Sequence, residues 1–446
     1  EGMLGYCYEH GIGTPPDIAK AVQAYTSAAN RGDDVAQYQL GLCYEKGIHK
    51  KNTHERPGIV VIVVPQDLQR ARELYVLSAK QGNAAAECSL GYFYEHGIIV
   101  QPDLERAVEL YISAAKKDNA AAKYNLGLCY EHGKLVQQNS YQAIILYSKA
   151  ASQGHAEAKL RLGHCYEHGI GVLPDPVEAL KLYTKAARLG LADAMLVVGY
   201  CYEHGIGTFG SGVNRPGSIQ PAEAAFWYEA AARKGSARAM SNLGVLYETG
   251  NGFKQKDIHM AIKLYEESAA LGDDQGQLNL GLCYEQGMGD LKPDPKKAAE
   301  LYEKSANQGN AAAECCLGSL YEKGIGVEEV GLNKAAKLYL SAANKGDSEA
   351  QYKIGKFYAQ GIGNIRQDSA AAVYWYCRAA DQENADAEFA LGLLYEQGDM
   401  IERDIELARK YYRLAYKHGH PEAKKFLEQP PSNAKKFTFG AKKNSK

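Results

Sequence analysis

The sequence lacks a long apolar run. A membrane-spanning helix needs about 20 consecutive apolar residues, and the longest aliphatic stretch runs only from Ile59 to Val64. It lacks an excess of either charge. Lys+Arg number 51 and Asp+Glu 53, a net charge of −2, which excludes a broadly basic nucleic-acid binder. With 46% hydrophobic residues the chain also falls outside the low-hydrophobicity, high-charge class that stays disordered. The ten cysteines show no C-x-x-C spacing, and no Asn-x-Ser/Thr acceptor occurs. No P-loop, His-Glu-x-x-His pair or nucleophile elbow is present. Tryptophan and phenylalanine are scarce, at 2 and 9, against 32 tyrosines and 46 glycines. One aromatic used so often in a neutral chain points to a template written many times.

That template is L-G-x-x-Y-E-x-G. Its first Gly is Gly5, Gly41, Gly91, Gly127, Gly163, Gly199, Gly244, Gly281, Gly318, Gly355 and Gly392. The spacings are 36, 50, 36, 36, 36, 45, 37, 37, 37 and 37. A period of this size marks a solenoid of small supersecondary units. Each unit reads as two helices. In Asp34 to Lys46, the residues Ala36, Leu40 and Tyr44 are four apart and share one face. Gly47 then supplies a left-handed C-terminal cap. A short loop leads to an N-cap such as Asp17, Asp67, Asp103, Asp257, Asp368 or Asp404, and in Asp175-Pro176 and Asp294-Pro295 a Pro takes the first helical position. The second helix carries a central Tyr, from Tyr25 and Tyr75 through to Tyr412, and small pairs such as Ala150-Ala151 that permit close helix approach.

These residues resemble the Sel1-like repeat, a longer-period relative of the tetratricopeptide repeat, over residues 1–429. The resemblance implies an all-α, right-handed superhelical α-solenoid of about eleven hairpins. It implies a non-catalytic scaffold or adaptor, and the family motif brings no catalytic residues with it. Other roles found in the family are regulation of chitin synthase, adaptors of endoplasmic-reticulum-associated degradation, signalling, and repeat regions of larger enzymes such as kinases. No cofactor or metal is expected.

Two insertions interrupt the period. Deleting residues 49–62 restores a spacing of 36; this insert ends in the aliphatic run and reads as a strand for a partner's sheet edge or as a loop packed on the flank. Residues 209–218, Gly/Ser-rich, read as a flexible loop. Residues 430–446 hold five Lys and no acid and read as a disordered tail, or as a handle for an acidic partner or anionic surface. Residues 422–428 resemble half of another first helix and suit a cap on the stack. The chain begins inside a first helix, so further repeats or another domain are expected ahead of it.

His10, His96, His132, His168 and His204 each precede a cap Gly and each follow a Glu. Successive hairpins lie roughly 10 Å apart, whereas metal ligands stand about 2 Å from the ion. The reading is a residue that suits the negative end of the helix. Cys7, Cys43, Cys129, Cys165, Cys201 and Cys283 fall one per unit at one template position, too far apart for disulfides, and read as small buried apolar residues. Unpaired cysteines and absent glycosylation sites favour a cytoplasmic protein, with the nucleus admissible and the endoplasmic-reticulum lumen disfavoured. Gly205 to Gly210 matches G-x-G-x-x-G but follows a helix, so a dinucleotide site is excluded on context.

The candidate site comes from the first-helix wheel. With Leu40 at zero, the residue two later falls near 200° and the residue two earlier near 160°. Both positions are expected to face away from the hairpin's own core, either onto the neighbouring repeat or onto an inner concave wall. The first holds Tyr6, Leu42, Tyr92, Leu128, His164 and Tyr200; the second holds Tyr38, Tyr124, Leu160, Tyr352 and Phe389. Tyrosine is enriched at binding hot spots, and this stripe is the expected seat of a partner's peptide or helix.

Overall fold

The computed structural model describes residues 1–51, 60–208, 217–253, 255–398 and 401–428. The readings of 209–218 as a flexible loop and of 430–446 as a disordered tail lie outside the described residues, save 217–218. The chain divides into two compact units, Glu1–Trp227 and Tyr228–Lys446.

The first unit holds α1 (Gly2–His10), α2 (Ile18–Asn30), α3 (Asp34–Lys46), β1 (Ile48–Lys51), β2 (Val60–Val64), α4 (Leu68–Lys80), α5 (Ala84–His96), α6 (Leu104–Lys116), α7 (Ala120–His132), α8 (Ser140–Ser152), α9 (Ala156–His168), α10 (Pro176–Arg188) and α11 (Ala192–His204). The division falls within α12 (Pro221–Arg233). The second unit continues with α13 (Ala237–Thr249), α14 (Ile258–Ala270), α15 (Asp274–Gln286), α16 (Pro295–Asn307), α17 (Ala311–Lys323), α18 (Leu332–Asn344), α19 (Ser348–Gln360), α20 (Ser369–Ala380), α21 (Ala385–Gln397), α22 (Ile405–Lys417) and α23 (Ala423–Glu428). In each unit odd and even helices pair as hairpins, α3 on α4 and α15 on α16 for example, and each hairpin packs on the next. The all-α repeat expected from the sequence is therefore the fold.

The local chemistry explains the uniform helices. Asp17, Asp67, Asp103, Asp257, Asp368 and Asp404 each accept a backbone N–H of the first turn, satisfying a donor the helix leaves unpaired. Asp175 and Asp294 do the same ahead of Pro176 and Pro295.

The core repeats one arrangement. The second-helix Tyr is fully buried and its ring lies on the first-helix Gly: a Cβ at Gly127 would stand 2.5 Å from Tyr147 Cε1. Gly is there because any side chain would collide with the ring. Alanines such as Ala143 and Ala150 fill the close helix–helix approach.

The insert forms a ribbon. β1 and β2 pair antiparallel, with Lys51 opposite Val60 and Ile48 opposite Val64, and a register shift between Ile48 and His49. Val60–Val64 of the aliphatic run are thus paired within the chain and lead back to the N-cap of α4.

Candidate partner-binding surface

The eleven proposed partner-binding residues occupy three environments. Tyr6 on α1, Tyr92 on α5 and Tyr200 on α11 are exposed at 42%, 44% and 45%. Each ring packs on a His one turn later, Tyr6 stacked on His10 at 4.0 Å, Tyr92 tilted against His96 at 4.0 Å and Tyr200 stacked on His204 at 4.1 Å. The same histidines lie with Nδ1 3.1 Å from the Tyr6, Tyr92 and Tyr200 carbonyl oxygens, the N–H donating. Each of these carbonyls already accepts the backbone N–H of the same His within the helix, so the imidazole adds a second donor to it and packs against the tyrosine ring. The histidine at the cap therefore does two jobs.

Leu42, Leu128 and His164 stand at the same template position but are half-buried. Leu42 packs on the cluster of Ala71, Tyr75 and Phe93, and Leu128 on that of Ala143, Tyr147 and Leu162. The His164 ring stacks on His168 at 4.2 Å, and burial, with His168 and Arg161 nearby, pushes its pKa down.

Tyr38, Tyr124, Leu160, Tyr352 and Phe389 are half-buried too. The expectation that the aromatics here face away from their own hairpin needs correction. Tyr38 lies 5.8 Å from Tyr75, Tyr124 5.9 Å from Tyr147, Tyr352 5.9 Å from Tyr376 and Phe389 5.6 Å from Tyr412, each its own second-helix tyrosine. Tyr124 also stacks on His155 at 5.1 Å and Phe389 on His420 at 3.9 Å, both from the start of the next hairpin. Helical side chains lean toward the N-terminus and aromatic ones are long, so rings drawn as points at 160° reach back over the joint.

The template Glu has a role that sequence reading missed. The hydroxyl of the second-helix Tyr donates to it: Tyr25 to Glu9 at 2.6 Å, Tyr111 to Glu95 at 2.9 Å, Tyr147 to Glu131 at 2.7 Å, Tyr302 to Glu285 at 2.7 Å. Tyr75, Tyr183, Tyr265, Tyr339 and Tyr412 make the equivalent bond. Burial and the nearby carboxylate raise the pKa of the Tyr147 phenol. Two of these carboxylates also tie consecutive hairpins: Lys134, after α7, reaches Glu95 at 2.9 Å, and Arg161 on α9 pairs with Glu131. Burial alone would raise both carboxyl groups, yet these cations and the Tyr hydroxyls bring them below their ordinary value. The signal was the coincidence of Glu and Tyr in one unit.

Second helices carry exposed aromatics outside the predicted stripe, Tyr141, Phe226, Tyr374 and Tyr416. All ten cysteines are unpaired, and burial raises the thiol pKa of Cys129 to about 11 and of Cys201 to about 12. Among the described residues no cluster of three His, Cys, Asp or Glu could hold a metal, and no helix is long and apolar enough to cross a membrane.

Stacked hairpins with a polar joint, repeated along the chain, define a helical repeat protein. The chain belongs to the Sel1 repeat family: the family model matches twelve segments from residue 3 to residue 420. Two of them, 34–55 and 58–83, are the halves of the repeat interrupted by the β1–β2 insert. The chain is similar to a protective antigen of uropathogenic Escherichia coli with an SLR fold, at 29% identity over 96% of this chain and 85% of that one, TM-score 0.66. It is also similar to a Sel1 repeat protein from Oxalobacter formigenes, at 30% identity over 52% of this chain and 90% of that one, TM-score 0.47. No curated protein matches the chain closely.

Proposed function

We propose that this chain is a non-catalytic adaptor that holds a peptide or helix of a partner protein on the first-helix surface of its first unit. The observation that carries the reading is the recurrence of an exposed Tyr at one template position in α1, α5 and α11, each packed against a His. A ring already packed against a neighbour loses less conformational freedom on binding, which favours affinity. Tyr combines large apolar area with a hydroxyl, the combination over-represented at hot spots. Leu42 and Leu128, half-buried at the same position, supply apolar continuity between the rings. In the first unit the half-buried Tyr38 and Tyr124 pack on the core tyrosines of the same hairpins, as Tyr352 and Phe389 do in the second. His164, between Leu128 and Tyr200 in the series, offers a polar contact. A cytosolic or nuclear location is supported by ten unpaired cysteines and the absence of a glycosylation acceptor.

The test is a quantitative pull-down from source cells with wild type and the Tyr6→Glu/Tyr92→Glu/Tyr200→Glu variant, with circular dichroism as the check on folding. Partners lost only from the folded variant support the reading. Partners captured equally by both overturn it.

A further inference from the structure

α10 differs from every other second helix in one respect. At the positions two before, two after and five after its core Tyr183 it carries Lys181, Lys185 and Arg188, and no other second helix has a cation at all three. The corresponding residues are Gln23, Ser27 and Asn30 in α2, and Glu300, Lys304 and Asn307 in α16. The repeat scaffold does not ask for these charges, since ten hairpins form without the full set.

The three cations line a cleft of about 470 Å³ between α10 and the end of α11, within the roughly 300–1,000 Å³ of ligand-binding clefts. Val177 and Leu180 give it an apolar floor, and Thr184, Tyr202 and Thr208 line it as well. Lys181 pairs with Glu178 at 3.2 Å, an exposed contact that water screens. Lys185 and Arg188 have no ion pair among the described residues, and Lys159 lies close enough to Lys185 for its pKa to be lowered by burial and by that charge. Glu223 is the carboxylate that faces the Tyr202 side. The matching cleft in the second unit, beside α16, reverses the sign: Glu300, Glu303, Glu328 and Glu329 line it, with Lys296 and Lys334. One architecture thus carries two opposite electrostatic surfaces, and in the α10 cleft the cations outnumber the lining carboxylates.

We propose that the α10 cleft binds an acidic peptide segment, its carboxylates held by Lys181, Lys185 and Arg188 and an aliphatic side chain seated on Val177 and Leu180. The site is separate from the first-helix tyrosines and stands or falls independently of them. Convergent charges of one sign raise the local concentration and the association rate of the opposite one, and the effect weakens with salt.

The test is fluorescence anisotropy with the full chain and a fluorescein-labelled peptide of Glu-Glu-Leu repeats. Saturable binding is expected, weakening as salt rises. Lys185→Glu/Arg188→Glu should weaken it at least about tenfold, and Lys304→Glu, the same template position in α16, should leave it unchanged. These sites are on the surface, so folding is retained and is read by circular dichroism. A Lys-Lys-Leu control peptide should show no affinity that depends on Lys185 and Arg188. Absence of saturable binding, equal loss with Lys304→Glu, or retention in the double variant would each overturn the proposal.

Discussion

Tyr376 shares a core cluster with Ala359, and its buried hydroxyl has no hydrogen-bond partner among the described residues. Ala359 stands where the template places Glu. The repeat therefore contains its own control for the Tyr–Glu bond. Tyr302→Phe leaves Glu285 without its 2.7 Å donor and should cost about 1.5–3 kcal/mol, the range for a hydrogen bond to a charged group. Tyr376→Phe removes a hydroxyl that bonds nothing and should be neutral or slightly stabilising. Urea midpoints, with hydrogen exchange to localise the effect, decide it. Equal losses for the two variants would show that the phenol oxygen matters for some reason other than the Glu.

Gly127 and Tyr147 touch so closely that the pair acts as one packing unit. Gly127→Ala adds a methyl that must displace the ring, and overpacking of this kind costs about 1–3 kcal/mol. In a Tyr147→Leu background the same substitution should cost markedly less, because residues in contact are non-additive. The double-mutant cycle is the measurement, and additivity would contradict the packing described.

Hairpin count, caps and the identity of the core tyrosines were legible in the sequence because each is decided locally. Asp before a helix, Gly after it and apolar spacing of four need no tertiary information. The Tyr–Glu bond was hidden because it links the two helices of a hairpin, 16 residues apart for Tyr147 and Glu131, and the recurrence of both residues in each unit does not by itself say that they meet. Tyr38 and Tyr124 reach the core Tyr of their own hairpin, Tyr124 while also stacking on the next one, because a wheel gives direction and no length. The α10 cleft became visible only when Lys181, Lys185 and Arg188 were set beside Tyr202 and Thr208 from the following helix and loop.

Acid should loosen the first unit through Glu95 and Glu131. Both have folded-state pKa values below the ordinary 4.5. A carboxyl group depressed on folding contributes stability that is fully present above its unfolded value and is lost as pH falls through the folded one. The melting temperature should therefore hold from neutrality to about the ordinary carboxyl range and decline below it. Glu95→Gln/Glu131→Gln should begin lower at pH 7 and lose less between there and pH 3. Parallel pH profiles for the two proteins would exclude these carboxylates as the cause.

Thiol chemistry offers a last check on the core. Burial raises Cys43, Cys129 and Cys165 to about 11, and Cys88, Cys201 and Cys283 to about 12. The thiolate is the reactive form, so at pH 8 fewer than about one in a thousand of these groups is ready to react. Cys7, at the template position of Cys43, Cys129, Cys165, Cys201 and Cys283 but in α1, is half-buried. In the native protein a disulfide reagent at pH 8 should therefore label Cys7 first, and that fast phase should vanish in Cys7→Ser. The seven buried thiols, these six and Cys315, should react only as hairpins open, at rates that rise together with urea. Rapid native labelling of Cys129 or Cys165 would mean that the joints between hairpins admit solvent, and the interlocked Gly–Tyr core would have to be abandoned.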